Sequence, residues 1–280
     1  MRRRRYLASA AGAASLLAGC SGRETPAGGA TATVTPAPVP GGPSGLLTDS
    51  GTVSPSAVGD AHVGTLAGDS ATVGIEYVVR AAGERLDSIR ILSTVDGEAL
   101  TYRRYDVIRL QAPARVFRGV WHEDGRTVLR FFEEGSQLVY QEPDDFTPAP
   151  ARERFDRGRL VDALAAFEPA ATPTGDGYRL TADAVARPGR LPTVEGVTGD
   201  TEGTLSARLA AEGTVPELAA EFRGTANDRP VTVTYRTVVA DRGTTTVERP
   251  DEAETLEWYH ELQEQSPVEA VTSEENGDAG

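Results

Sequence analysis
The sequence predicts an α+β fold: one long, curved antiparallel sheet, an open β-barrel left unclosed, wrapping two helices. Three observations carry this prediction. Runs of alternating apolar and polar residues recur along the chain, the pattern of half-buried strands. The links between them are short, whereas parallel strands need crossovers of about a dozen residues. Two apolar helical stripes accompany the strands, one ahead of them and one in the middle.

The elements follow in order. Ser54-Pro55 marks a helix start, an N-cap followed by proline at the first helical position, and Val58, Ala61, His62, Thr65 and Leu66 then share one face. Val73, Ile75, Tyr77 and Val79 alternate with Thr72, Gly74, Glu76 and Arg80, and Ile89, Ile91 and Val95 continue the period after a turn at Gly83. Asp96-Gly97 is a hairpin signal. Further strands are expected at 100–110 and 116–122, then through Asp124-Gly125 at 127–132 and through Gly135 at 137–141. Glu142-Pro143-Asp144-Asp145 interrupts the meander. A second helix, capped by Asp156, carries Leu160, Val161, Leu164 and Phe167 on one stripe, and Pro169 and Pro173-Thr174-Gly175 end it. Five more strands are expected at 178–185, 204–210, 218–223, 231–239 and 244–248, with 187–200 as a surface insertion. Pro250 precedes a short terminal helix holding Leu256, Trp258, Tyr259 and Leu262.

This domain is expected to run from 53 to 265. Residues 20–52, rich in Gly, Pro, Ala and Thr, read as a disordered tether, and 266–280 as a disordered acidic tail. Residues 1–19 read as a signal peptide. Arg2–Arg5 form a positive segment, followed by an apolar run too short to span a bilayer permanently. Arg3 and Arg4, followed by Arg5-Tyr6-Leu7, resemble a twin-arginine export signal. Leu17-Ala18-Gly19-Cys20 has the form of a lipobox: small residues lie extended in a peptidase cleft, and the Cys20 thiol supplies the nucleophile for lipid attachment. Cys20 is the only cysteine in 280 residues. One acyl chain binds membranes reversibly and two bind durably, as a diacylglyceryl group would. The expected location is the cell membrane, lipid-anchored at its extracellular face.

Composition narrows the partners. Loss of the four leading arginines takes the net charge from −14 to −18. All 28 basic residues are arginine, against 42 acidic ones. An acidic, lysine-free surface holds water and cations in concentrated salt, where self-repulsion is screened. No basic stripe exists, which argues against nucleic acid. With no second thiol, disulfides contribute nothing.

The lipobox, the Thr/Pro tether, Ala61-His62, the run Val231-Thr232-Val233-Thr234-Tyr235 and Val247-Glu248-Arg249-Pro250 together resemble an uncharacterised family of haloarchaeal lipoproteins. That family is distantly similar to the carrier fold of LolA and of LppX-type mycobacterial lipoproteins. The resemblance implies an unclosed barrel that wraps helices and shelters acyl chains. A tryptophan expected just after Arg249-Pro250 arrives only at Trp258, and no functional residue carries over.

Candidate chemistry is sparse. Lysine's absence excludes a P-loop lysine, a Schiff base and a Ser-Lys dyad. No Gly-x-Ser-x-Gly or His-Glu-x-x-His occurs; Arg126 stands where His122-Glu123 would need the second histidine. His62 reads as a packed core residue, and three scattered histidines argue against a metal site. Glu123-Asp124, Glu133-Glu134 and Asp144-Asp145 read as solvated surface rather than a facing pair of catalytic carboxyls. Trp121, Phe131, Phe132 and Tyr140 come from successive strands; they read as core, or as the lining of an acyl-chain groove where the sheet fails to close over its helices. The expectation is therefore an exported, lipid-anchored, non-enzymatic protein without cofactor, binding or transferring a lipid or other hydrophobic ligand. The alternative is a surface protein–protein scaffold without a ligand cavity. A contiguous apolar cavity of several hundred cubic ångströms favours the first and a filled interior the second.

Overall fold
In a computed structural model of the chain, the described residues are 45–48, 50–110, 114–133, 139–143, 147–249, 263–269 and 271. Helix α1 (Pro55–Ala67) begins where Ser54, in extended backbone, hands its carbonyl to the Val58 N–H and proline takes the first helical position, while the Ser54 hydroxyl makes no capping hydrogen bond. A six-stranded meander follows: β1 (Ala71–Ala81), β2 (Glu84–Asp96), β3 (Ala99–Ile108), β4 (Ala114–Glu123), β5 (Arg126–Glu133) and β6 (Val139–Gln141). Two of its tight turns use left-handed pairs, Ala82-Gly83 and Asp124-Gly125, whose twist matches that of the flanking strands, and in the turn between β2 and β3 only Gly97 is left-handed. A single turn, α2 (Ala151–Arg154), precedes α3 (Arg157–Phe167). The second meander is β7 (Ala170–Pro173), β8 (Gly177–Ala182), β9 (Val197–Ala210), β10 (Glu217–Ala226) and β11 (Arg229–Ala240).

All strand pairings are antiparallel, in the order β6-β5-β4-β3-β2-β1-β11-β10-β9-β8-β7. The edges β6 and β7 do not pair, so the sheet stays open. The two meanders are joined at the centre, where the first strand meets the last from Thr72↔Ala240 to Arg80↔Thr232. β1 is accordingly buried on both faces, and its apolar alternation gives way to near-continuous burial.

One face carries the helices. Val58, His62 and Leu66 of α1 and Leu160, Leu164 and Phe167 of α3 are buried with Val73, Ile75, Tyr77 and Val79 of β1 and with the inward residues of β8–β11. The helices approach closely because Gly59 lacks a side chain; a Cβ there would stand 2.5 Å from Val161 Cγ2. The back face is covered over its centre by residues 263–269 and Val271. A Cβ on Gly74 would lie 2.8 Å from the Pro267 carbonyl oxygen, so this strap needs glycine beneath it. It also closes over a buried ion pair, Arg90–Glu76 at 3.3 Å. The Ser266 hydroxyl donates to Glu76 Oε2 (3.0 Å), and Arg90 Nη1 donates to the Gln265 carbonyl (3.0 Å).

Several local expectations change. Leu46 joins the core and Leu47 bridges to Val53, so residues 46–52 are not all tether. Ser266, Val268 and Val271, placed in the tail by sequence, are buried against the back face. Asp156 stands at the α3 N-cap but does not cap it: its backbone is left-handed (φ +50°) and its carboxylate accepts from Arg159 instead. The helix ends at Glu168, also left-handed, before Pro169. Residues 244–248 form no strand, because Asp241 turns the chain and its carbonyl takes the Thr244 and Thr245 N–H groups; the fifth strand is β7. Nor is 187–200 wholly a surface insertion, since Leu191 is buried and β9 begins at Val197. The terminal helix expected around Leu256–Leu262 lies outside the described residues.

Candidate functional site
Register across the sheet decides which side chains meet. On the helix face one row reads Thr237, Ile75, Ile91, Arg104, Arg118, Phe131, Val139, from β11 through to β6. The next reads Val239, Val73, Ser93, Tyr102, Val120, Leu129. Both rows are buried at the helices and open progressively toward β6. Tyr102, Val120 and Leu129 are half-buried, while Phe131 is 36% and Val139 42% exposed. These two are the large apolar side chains left exposed among the described residues.

The four aromatics singled out by sequence therefore do not form one groove. Trp121 lies on the back face, buried with Val128 and Val247 beneath the Arg249 guanidinium, 5.5 Å from the ring centre. Phe132 is also on the back face, against Tyr105, Val107 and Phe117. Phe131 alone of the three faces the helix side. Tyr140 pairs with Arg130 through its backbone, and its side chain is outside the described residues. Adjacent strand residues point to opposite faces, so Phe131 and Phe132 were never candidates for one wall. The same parity, applied to the β4–β5 hairpin, would have put Phe131 in phase with Leu129, Arg118 and Val120. Those residues, with Arg104 and Val139, are the ones sequence reasoning missed. Arg3, Arg4, Leu17, Ala18, Gly19 and Cys20 lie outside the described residues.

Charge enters this face at the first row. Arg104 Nε donates to both carboxylate oxygens of Asp106 at 2.9 Å. Burial alone would lower the Arg104 guanidinium, but Asp106 holds it above its ordinary value. The Arg118 guanidinium lies over Phe131, 5.9 Å from the ring centre. Deeper in, Arg159 stands 5.5 Å over the Tyr77 ring and holds one oxygen of Asp156 at 2.9 Å. Burial pushes the Asp156 carboxyl up, against the pull of Arg159. The other Asp156 oxygen and the fully buried Tyr235 hydroxyl have no hydrogen-bond partner among the described residues, as groups that meet an ordered water do.

Beside Tyr77, Arg104 and Asp106 lies a cavity of about 180 Å³ whose lining also includes Asp87, Ile89 and Val194. It falls below the roughly 300 Å³ at which ligand pockets begin, and it is polar on one side. Among the described residues the side chains between sheet and helices are closely packed: Leu66, Phe155, Leu160, Leu164, Phe222 and Tyr235 are all nearly inaccessible.

His62 sits in the core as expected. Its Nδ1 accepts from the Val215 N–H at 3.1 Å. Burial, reinforced by the Arg242 charge, pushes it down to about 4, so the ring is neutral and serves to pin the 213–215 turn onto α1. His122 Nδ1 shares a 2.8 Å hydrogen bond with the Thr127 hydroxyl across the β4–β5 hairpin. His260, Asp144 and Asp145 lie outside the described residues. Among the described residues no three His, Cys, Asp or Glu side chains gather as a metal site would require, and no helix is long and apolar enough to cross a membrane.

No protein-family model and no curated protein matches the chain. Among solved structures it is similar to LprF from Mycobacterium bovis (13% identity, 70% of this chain and 96% of that one, TM-score 0.35). It is also similar to a DUF1329 family protein from Desulfovibrio piger (10%, 70% and 94%, 0.24) and to a LolA superfamily protein from Nitrosomonas europaea (11%, 71% and 96%, 0.21). Likenesses this distant carry nothing about ligand or partner.

Proposed function
We propose that the chain is a non-enzymatic, exported envelope protein, anchored by lipid on Cys20 at the outer face of the cell membrane, and that the open half of its sheet binds a lipid or other hydrophobic ligand. One observation carries the ligand reading. The helix face is buried over β8–β11, β1 and β2, yet over β4–β6 the same rows open, with Val120 and Leu129 half-buried and Phe131 and Val139 exposed. The close packing of the described interior and the small size of the cavity beside Arg104 support a ligand lying along this lane rather than enclosed between sheet and helices. An acidic surface elsewhere keeps the lane from being one apolar patch among many.

The packed interior is the outcome that favours a second reading, a surface scaffold in which a partner protein covers the lane. Native mass spectrometry of protein extracted from its own membranes separates the two. A hydrophobic adduct beyond the covalent anchor, lost in Phe131→Asp/Val139→Asp, supports ligand binding. Adduct-free protein in every preparation argues for the scaffold. The anchor is tested separately by Cys20→Ser, which is expected to release the mature body into the medium; unchanged membrane retention would contradict it.

A further inference from the structure
Arg104 and Arg118 stand directly opposite each other on neighbouring strands of the helix face. Like charges in that position repel, so such a pair persists where anions answer it. Asp106 answers Arg104, through its Nε. Arg118 has no carboxylate within salt-bridge distance among the described residues; its contact is the face of Phe131. This happens in a chain with 42 acidic residues to 28 basic ones, where carboxylates to neutralise a surface arginine are abundant. Arg118 is moreover exposed, and it stands at the head of the apolar lane: Phe131 and Val139 follow it along its own row, and Val120 and Leu129 lie alongside in the next. A seat of two facing guanidiniums, one paired with Asp106 and the other without a carboxylate partner among the described residues, thus leads into the partly exposed apolar surface.

We infer that the ligand of this face is an anionic amphiphile, its negatively charged head group seated between Arg104 and Arg118 and its hydrocarbon tail laid along Val120, Leu129, Phe131 and Val139. This rests on the reading of the lane as an apolar ligand site and adds its charge selectivity. The planar guanidinium of Arg118, already oriented on Phe131, presents parallel N–H donors to a carboxylate or phosphate oxygen pair. A neutral amphiphile would gain the lane but leave the cation pair unanswered, and a cationic one would be repelled.

The test uses the full chain carrying Cys20→Ser, purified without detergent, and two fluorescent probes of the same tail, cis-parinarate and its methyl ester, at one fixed salt concentration. Parinarate is expected to bind about tenfold more tightly than the ester, the low end for a charge-assisted hydrogen bond. Arg118→Gln is expected to bring parinarate down to the affinity of the ester without altering the ester, and Arg118→Lys to restore part of the preference. Phe131→Ala is expected to weaken both probes alike. Equal binding of the two probes, or a preference that survives Arg118→Gln, overturns the anionic seat while leaving the apolar lane standing. Failure of both probes to bind the parent protein overturns the lane and the seat together.

Discussion

Acidification through the His62 titration offers a quantitative check on the core. The folded ring is held at about 4 by burial, with the Arg242 charge acting in the same direction, against an ordinary value of 6.5. The neutral form is the one that accepts the Val215 N–H. A base depressed on folding contributes stability that is complete above its unfolded value and is lost as pH falls toward its folded one. Unfolded chains bind the proton through that window while the native state refuses it. A fall from 6.5 to about 4 corresponds to a loss of about 2 kcal/mol by pH 5 and about 3 kcal/mol by pH 4. Carboxylates titrate in the same range, so the assay is a difference: urea unfolding of the parent and of His62→Gln at pH 7, 6, 5 and 4. Glutamine offers the Val215 N–H an acceptor and does not titrate. The parent is expected to lose about 2 to 3 kcal/mol more than the variant across the series. Parallel pH dependences in the two proteins would refute a neutral, buried His62.

Two further predictions concern the back face. Glu76→Gln leaves the Arg90 charge buried beneath the strap and is expected to cost roughly 3 kcal/mol, on the order of 10 °C in Tm, while the double change Glu76→Leu/Arg90→Met recovers most of it. Differential scanning calorimetry of the three proteins decides; a Glu76→Gln protein as stable as the parent would contradict the buried pair. Gly74→Ala puts a methyl group 2.8 Å from the Pro267 carbonyl and is expected to destabilise by about 1–3 kcal/mol, with the segment after Gln263 becoming the first site of limited proteolysis. An unchanged cleavage pattern would mean that the strap does not lie there.

Where local rules govern, the fold was readable before the structure. Period-two alternation in Val73–Val79 and the turns at Gly83, Asp96-Gly97 and Asp124-Gly125 place the first meander, because strand and hairpin chemistry are short-range. The pairing of β1 with β11 was not readable: it joins residues some 160 positions apart, Thr72 with Ala240 for example, and no local signal encodes it. Asp156 misled because an aspartate before an apolar stripe has the composition of a cap, whereas the left-handed backbone turns its carboxylate toward Arg159. The threonines at 244–245 misled in the same way, their β-propensity overridden by hydrogen bonds to Asp241. At the site, clustering the aromatics by proximity in sequence grouped Trp121 and Phe132 with Phe131. Strand parity separates them and promotes Arg118, Val120 and Leu129, which are unremarkable in composition and acquire meaning only from register.

The uncovered lane is tested most directly in the living cell, by placing the photo-crosslinking residue p-benzoylphenylalanine at Phe131 and, as a control, at the exposed Arg179 on β8. Irradiation followed by mass analysis of the purified chain is expected to show a small hydrophobic adduct at position 131 and none at 179. A protein crosslinked at 131 would transfer the lane to a scaffold role. The same blank result at both positions would contradict the claim that this face is occupied at all.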